Sequence, residues 1–196
     1  RYQLNLMDLT REDKVFLLSA ARKSINSVFS EGYPPVADYN KFPNLEQNCG
    51  AFVTLRIKNE LRGCIGYIFT QTPLFETVCD AARQSAFNDP RFFPLTSQEL
   101  NNADIEISVL SVPVQINSYS DIKLGVHGLL LEEGANKSVL LPQVAAENKL
   151  GLEEFLSILC EKAGLSTRFW KIKMLNLKSF EAQVFSEEDL SRKENE

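Results

Sequence analysis

Histidine is nearly missing from this 196-residue chain: His127 stands alone, beside one tryptophan and two methionines. A Cys/His zinc site draws on paired ligands, and Cys49, Cys64, Cys79 and Cys160 include no Cys-x-x-Cys, so no metal is expected. Four cysteines are also too few for a disulfide scaffold, which makes a reducing cytoplasm the expected location. No apolar run approaches the roughly 18 residues of a membrane helix, and Arg1-Tyr2-Gln3 has no signal-peptide pattern. No membrane association is expected. The chain opens on Arg1 and not on methionine, so earlier residues are expected. Neither charge sign dominates: 21 Lys and Arg against 26 Asp and Glu leave a net of -5, which speaks against nucleic acid as a partner. Much of that excess is local, with six acids and two bases in residues 181–196. Glycine-rich phosphate loops, Gly-x-Ser-x-Gly and His-Glu-x-x-His are all absent.

What is present is an ordinary globular composition, 44% hydrophobic and 24% charged, of a length that suits one domain, or two small lobes sharing a core. Thr10 followed by Asp13 marks a helix start, and Val15, Leu18, Ile25, Val28 and Phe29 recur at helical spacing over about residues 11–31. Residues 33–49 read as an irregular connector. Ala51–Ile57 and Leu61–Phe69 flank Lys58-Asn59-Glu60 as a hairpin. Thr72-Pro73 opens a helix carrying Leu74, Val78, Ala81 and Ala82, which Asn88-Asp89-Pro90 stops. A helical turn near Ser97–Leu100 precedes a strand, Ile105–Leu110. The order then recurs: Gly128–Leu131 and Ser138–Leu141 around a turn, the helix Leu152–Ala163, and strands over Phe169–Met174 and Phe180–Phe185. Halves at about 50–112 and 125–186 suggest an internal duplication within a single domain, 1–186. Residues 187–196 read as an acidic, frayed tail.

The most unusual stretch is Leu61-Arg62-Gly63-Cys64-Ile65-Gly66. Strand alternation puts Arg62, Cys64 and Gly66 on one face, with Arg62 and Cys64 about 7 Å apart. A guanidinium near a thiol favours thiolate, and Gly66 leaves room for a ligand or another backbone. The plainer alternative is a Cys64 packed as a small hydrophobe. His127, in a loop between Gly125 and Gly128, is the one side chain that titrates near neutrality unaided, and a Cys64–His127 pair would be a minimal nucleophile and base. A hydrogen-bonded loop histidine is the alternative. In Asn88-Asp89-Pro90-Arg91-Phe92-Phe93-Pro94, Asp89 is placed to bond backbone amides or to pair with Arg91, and Arg91 is a candidate anion clamp; the alternative is a rigid helix exit pinned by the two aromatics. Glu106 and Ser108 share the polar face of their strand. Facing solvent they need no explanation, whereas facing Arg56, Arg62 and Cys64 they form a pocket suited to acid–base work on a small polar molecule. Lys162–Lys178 holds five bases and no acid around Phe169 and Trp170, but Trp170, Ile172 and Met174 alternate there with Lys171 and Lys173, which reads as a half-buried strand rather than a nucleic-acid surface.

Phe52-Val53-Thr54-Leu55, Leu61-Arg62-Gly63-Cys64-Ile65-Gly66, Asp89-Pro90-Arg91-Phe92, Gly125-Val126-His127-Gly128 and Leu141-Pro142 occur in that order. In this the chain closely resembles the AMMECR-type domain family over roughly residues 12–186. Phe93, where the family often has proline, is a small departure. The resemblance implies an α+β fold of two β-β-β-α-α-β repeats sharing a mixed, barrel-like sheet with flanking helices, and an intracellular protein. It implies no established activity and names no cofactor. Its signature positions fall here on Arg62, Gly63, Cys64, Gly66, Asp89 and Arg91. Family members are often encoded with, or fused to, a Memo-like protein and a radical SAM protein, which makes these the expected partners. The expected site therefore has Cys64, Glu106 and His127 as catalytic candidates. Arg62, Gly63, Gly66, Asp89, Arg91 and Ser108 are its candidate ligand-binding residues, around a small polar or anionic ligand. The alternative is a non-catalytic accessory subunit.

Overall fold

The computed structural model describes residues 8–30 and 32–192. Residues 111–182 make one compact unit, and residues 8–110 with 183–192 make another. In the latter, Thr10 caps α1 (Arg11–Asn26): its hydroxyl accepts from the Asp13 amide while the Asp13 carboxylate accepts from the Thr10 amide, a reciprocal box that satisfies two orphan donors. Leu17, Leu18, Ala21 and Ile25 face the core. The helix stops short of the expected 11–31 span because Val28 and Phe29 stay exposed, so no burial sustains a further turn. Residue 31 lies outside the described residues.

Strands β1 (Ala51–Ile57) and β2 (Glu60–Tyr67) form the hairpin. Lys58 and Asn59 close it at φ 53° and 66°, the left-handed pair whose twist matches the strands it joins. Then come α2 (Leu74–Phe87), the short α3 (Ser97–Asn102) and β3 (Ala103–Leu110), which lies antiparallel to β1. Ala51, Val53 and Leu55 of β1 meet Val109, Ile107 and Ile105 of β3 in register, and all six are buried in a core that α1 and α2 complete.

The other unit contains β4 (Val114–Ile116), β5 (Gly128–Glu133), β6 (Asn136–Leu140), α4 (Pro142–Glu147), α5 (Leu152–Lys162), α6 (Phe169–Ile172) and β7 (Leu177–Phe180). Its core is Leu129, Leu131, Phe155, Leu156, Leu159, Cys160 and Leu177. The expected strand over Phe169–Met174 is a helical turn instead. Ile172 and Met174 are exposed, so the alternation there is not one of burial, and Tyr119 Oη lies 2.9 Å from the Trp170 carbonyl and 3.1 Å from that of Lys173. The expected strand Phe180–Phe185 breaks at Glu181 into β7 and β8 (Ala182–Ser186). At the break, the Ser111 amide donates to the Glu181 carbonyl and the Glu181 amide to Ser111 Oγ.

No shared barrel closes. The sheets run β2-β1-β3-β8 and β4-β7-β5-β6, so each ends in two outer strands. The triplets β2-β1-β3 and β6-β5-β7 have the same connectivity; the first takes its fourth strand, β8, from the end of the chain, and the second takes β4 from just before β5. The acidic segment expected to fray is helical as α7 (Glu187–Arg192), because Arg22 grips both Glu187 carboxylate oxygens at 2.6 Å and gives two further donors to the Leu100 and Ala103 carbonyls. Residues 193–196 lie outside the described residues. No helix among the described residues is long and apolar enough to cross a membrane.

A Cβ on Gly63 would lie 2.1 Å from the Ser85 carbonyl oxygen, so Gly63→Ala must push β2 off α2. The expected cost is about 1–3 kcal/mol, read as a lower urea midpoint with an unchanged slope.

Candidate functional site

The β1–β2 register slips between Leu55 and Arg56: Leu55 faces Gly63, Arg56 faces Leu61, and Arg62 has no cross-strand partner. A bulge of this kind re-aims its extra side chain. Arg62 therefore leaves the alternation expected of it and reaches α3, where Nε and Nη2 hold Glu99 at 2.9 and 3.1 Å and Nη2 also donates to the Phe93 carbonyl at 3.0 Å. The guanidinium carbon lies 5.6 Å from the Phe92 ring centroid, within cation–π range. These Arg62 hydrogen bonds, with those from the Thr96 amide and hydroxyl, hold the Glu99 carboxyl down at about 2.

Asp89, just past the end of α2, is 3% exposed. One oxygen accepts from the Arg91 amide and Nε, the other from Arg91 Nη2 at 2.7 Å and from the Cys64 amide at 2.9 Å. Arg91 Nη2 also reaches the Cys64 carbonyl at 3.4 Å. The Asp-Pro-Arg turn thus occupies the backbone donor and acceptor that β2, an outer strand, offers at Cys64. The Arg91 side chain, chiefly, pulls the Asp89 carboxyl down to about 2. Ser85 of α2 works beside it, donating to the Val53 carbonyl of β1 and accepting from the Ile65 amide of β2. This is a rigid helix exit and not a clamp for a free anion, but the pin is the Asp89–Arg91 pair and not the two expected aromatics, since Phe93 is exposed.

Cys64 is half-buried and accepts a hydrogen bond from Thr54 Oγ1 at 3.3 Å. Burial pushes its thiol pKa up; Thr54 and Arg91 oppose this, while Asp89 and Glu106 add to it. The expected thiolate is therefore not favoured, since Arg62 is committed to Glu99 and Arg91 acts beside a carboxylate. Nor do the glycines leave space for a ligand. Ser85 fills the place a Gly63 side chain would take, and a Cβ on Gly66 would lie 2.4 Å from the Phe52 ring and 2.3 Å from the Ala51 carbonyl.

Across the sheet, Cys64 faces Thr54 and Thr54 faces Glu106, a polar row over three strands. Arg56 faces Asp104 two residues further along β1, and Ser108 faces Phe52 in the opposite direction. Ser108 is fully buried and its hydroxyl has no hydrogen-bond partner. The structure thus brings Cys64, Glu106 and Ser108 to one face, with Asp89 and Arg91 on the Cys64 backbone and Arg62 turned aside. His127 is not among them. It sits in the 111–182 unit, where its Nδ1 accepts from the Lys123 amide at 3.2 Å and burial, against Glu181, lowers its pKa. It is a neutral, hydrogen-bonded loop histidine.

Four residues of the site escaped sequence reasoning: Thr54, Ser85, Phe92 as an arginine platform, and Glu99. Glu99 left a signal as the last residue of the capping box Thr96-x-x-Glu99, Thr54 and Phe92 only as members of the family motifs, and Ser85 none. Among the described residues, no three His, Cys, Asp or Glu side chains are grouped to hold a metal ion.

The AMMECR1 family model matches residues 18–185. The chain belongs to the AMMECR1 family. A protein of Methanosarcina mazei is 36% identical over 189 residues, covering 92% of this chain and 94% of its own. One from Methanothermobacter thermautotrophicus is 42% identical over 148 residues, covering 72% and 77%. The crystal structure of uncharacterized protein PH0010 from Pyrococcus horikoshii superposes with a TM-score of 0.82 at 36% identity, over 90% of this chain and 92% of that one. None of these names states a reaction, and AMMECR1 membership carries no catalytic assignment to the residues above.

Because the folded Asp89 pKa, about 2, lies below the unfolded value of roughly 3.9, its stabilisation is complete above about pH 4 and is lost as pH falls through 2. The expected contribution is about 2 kcal/mol. Asp89→Asn should lose at least that much at neutral pH and flatten the acid limb, as read by urea melts between about pH 6 and pH 2.

Proposed function

We propose that this AMMECR1-family chain is a binding module serving a protein partner, and that Cys64 is not a catalytic nucleophile. One observation carries this: the signature's charges are spent inside the protein. Arg62 is spent on Glu99, and Asp89 on Arg91 and the Cys64 amide, while burial keeps the thiol pKa raised against the opposing pull of Thr54 and Arg91. What turns outward is Phe93, 89% exposed, beside the half-exposed Arg91. The partner is a Memo-like or a radical SAM protein, and the setting is cytoplasmic, which the four free thiols support. Matching order in β2-β1-β3 and β6-β5-β7 supports an origin by duplication.

A second reading is favoured by the unpartnered buried hydroxyl of Ser108. It is a small polar ligand bound on the sheet face at Cys64, Thr54 and Glu106, with Glu106 as its acid–base group.

Alkylation of Cys64 against pH, followed by peptide mass spectrometry, separates nucleophile from structural thiol. The rate is expected to rise only above the free-thiol value of about 8.5, and an alkylation midpoint well below it would restore the nucleophile. Capture of the full chain by immobilised Memo-like or radical SAM protein is expected at micromolar concentration. Capture by neither would end the accessory role.

A further inference from the structure

We propose that Arg91 and Phe93 form a docking patch for a protein segment in which an Asp or Glu carboxylate stands beside an apolar side chain. This deepens the binding-module reading and rests on it. Donors and acceptors around Phe92 do not balance. Asp89 accepts four hydrogen bonds, from the Arg91 amide, Nε and Nη2 and from the Cys64 amide. Glu99 likewise accepts four, from Arg62 Nε and Nη2 and from the Thr96 amide and hydroxyl. Four is about the capacity of a carboxylate, two to each oxygen; Asp89 is filled in that way, whereas three of the Glu99 bonds fall on Oε2 and one on Oε1, so it is the acid beside Arg91 that has no lone pair left.

Both guanidiniums keep donors in hand. Arg62 Nη1 is buried with no acceptor, and Arg91 Nη1 makes no hydrogen bond among the described residues. The two guanidinium carbons lie 5.6 and 5.5 Å from the centroid of the one Phe92 ring. The Arg91 side chain is 54% exposed, whereas that of Asp89 beside it is 2% exposed. An incoming carboxylate therefore meets the cation's free N–H groups and not the lone pairs of the resident acid.

Phe93 supplies the apolar half. Its ring is the most open phenylalanine of the described chain at 89%, yet its backbone is fixed, because the Phe93 carbonyl accepts from Arg62 Nη2 and the Phe92 amide donates to the Asp89 carbonyl. A rigid aromatic beside an arginine with unspent donors is the composition of an interface anchor, and its pre-ordering lowers the entropic cost of binding. A free inorganic anion would use only the arginine and leave the ring bare.

The test titrates the isotopically labelled full chain with acetyl-Leu-Asp-Leu-amide and acetyl-Leu-Asn-Leu-amide, reading the Arg91 Nε and Phe93 amide resonances. Saturable shifts are expected with the Asp peptide, weakening with salt, and the Asn peptide should bind about fivefold more weakly. Phe93→Ala, a surface change that leaves the fold intact, should weaken the Asp peptide severalfold. Absence of saturable shifts, equal binding of the two peptides, or indifference to Phe93→Ala would each overturn the patch. Capture of a partner that Phe93→Ala does not diminish would overturn the patch and spare the module. Peptide binding with neither partner captured would do the reverse.

Discussion

A buried carboxylate organises the signature region of this protein. Asp89 is removed from water, and an ionised group so placed is tolerated only when its lone pairs are filled. Four donors fill them, three from Arg91 and one from the Cys64 amide. That requirement ties the end of α2 to the outer edge of β2, and the rest of the site follows from the tie. Cys64 is fixed by its own backbone, Phe92 is carried across by the turn, and Arg62, displaced by the bulge, finds Glu99 at the start of α3. An outer strand with open backbone groups invites unwanted pairing; here an acid and an arginine occupy them.

The glycines belong to the same construction. Gly63 lets the α2 backbone approach at Ser85, and Gly66 lets the Phe52 ring lie across β2. With Ser85 bridging β1 and β2, the hexapeptide Leu61–Gly66 is explained largely by contacts inside one unit. Its chemistry is accordingly quiet. The thiol is raised in pKa by burial and the charges are paired, so reactive-looking residue types produce a rigid and nearly neutral frame. The Cys64–Thr54–Glu106 row, the Arg56–Asp104 pair and the buried Ser108 hydroxyl are polar features of the sheet face that this frame leaves over.

Much of the fold was legible because it is local. The Thr10 cap, the Lys58-Asn59 turn and the apolar stripe from Leu74 each depend on residues a few positions apart, and so does the stop at Asn88-Asp89-Pro90. The misreadings occur where a distant partner decides. Phe169–Met174 alternates like a strand but turns as a helix beside Tyr119, and the acidic end from Glu187 is helical because Arg22 holds it. A shared barrel gave way to two sheets because the chain changes sheet between β3 and β4 and again between β7 and β8.

Taken alone, the sequence determined the family, the α+β class, the hairpin and helix that carry the site, and the residues worth watching, since composition, periodicity and an ordered set of short motifs are properties of the chain itself. Only the tertiary structure decided what those residues do. Whether Arg62 faces Cys64 or Glu99 depends on one skipped position in a strand pairing, and whether Cys64 is thiolate or thiol depends on burial and on charges brought from Asp89, Arg91 and Glu106. Both are set by groups far apart in sequence, whose encounter no local pattern encodes.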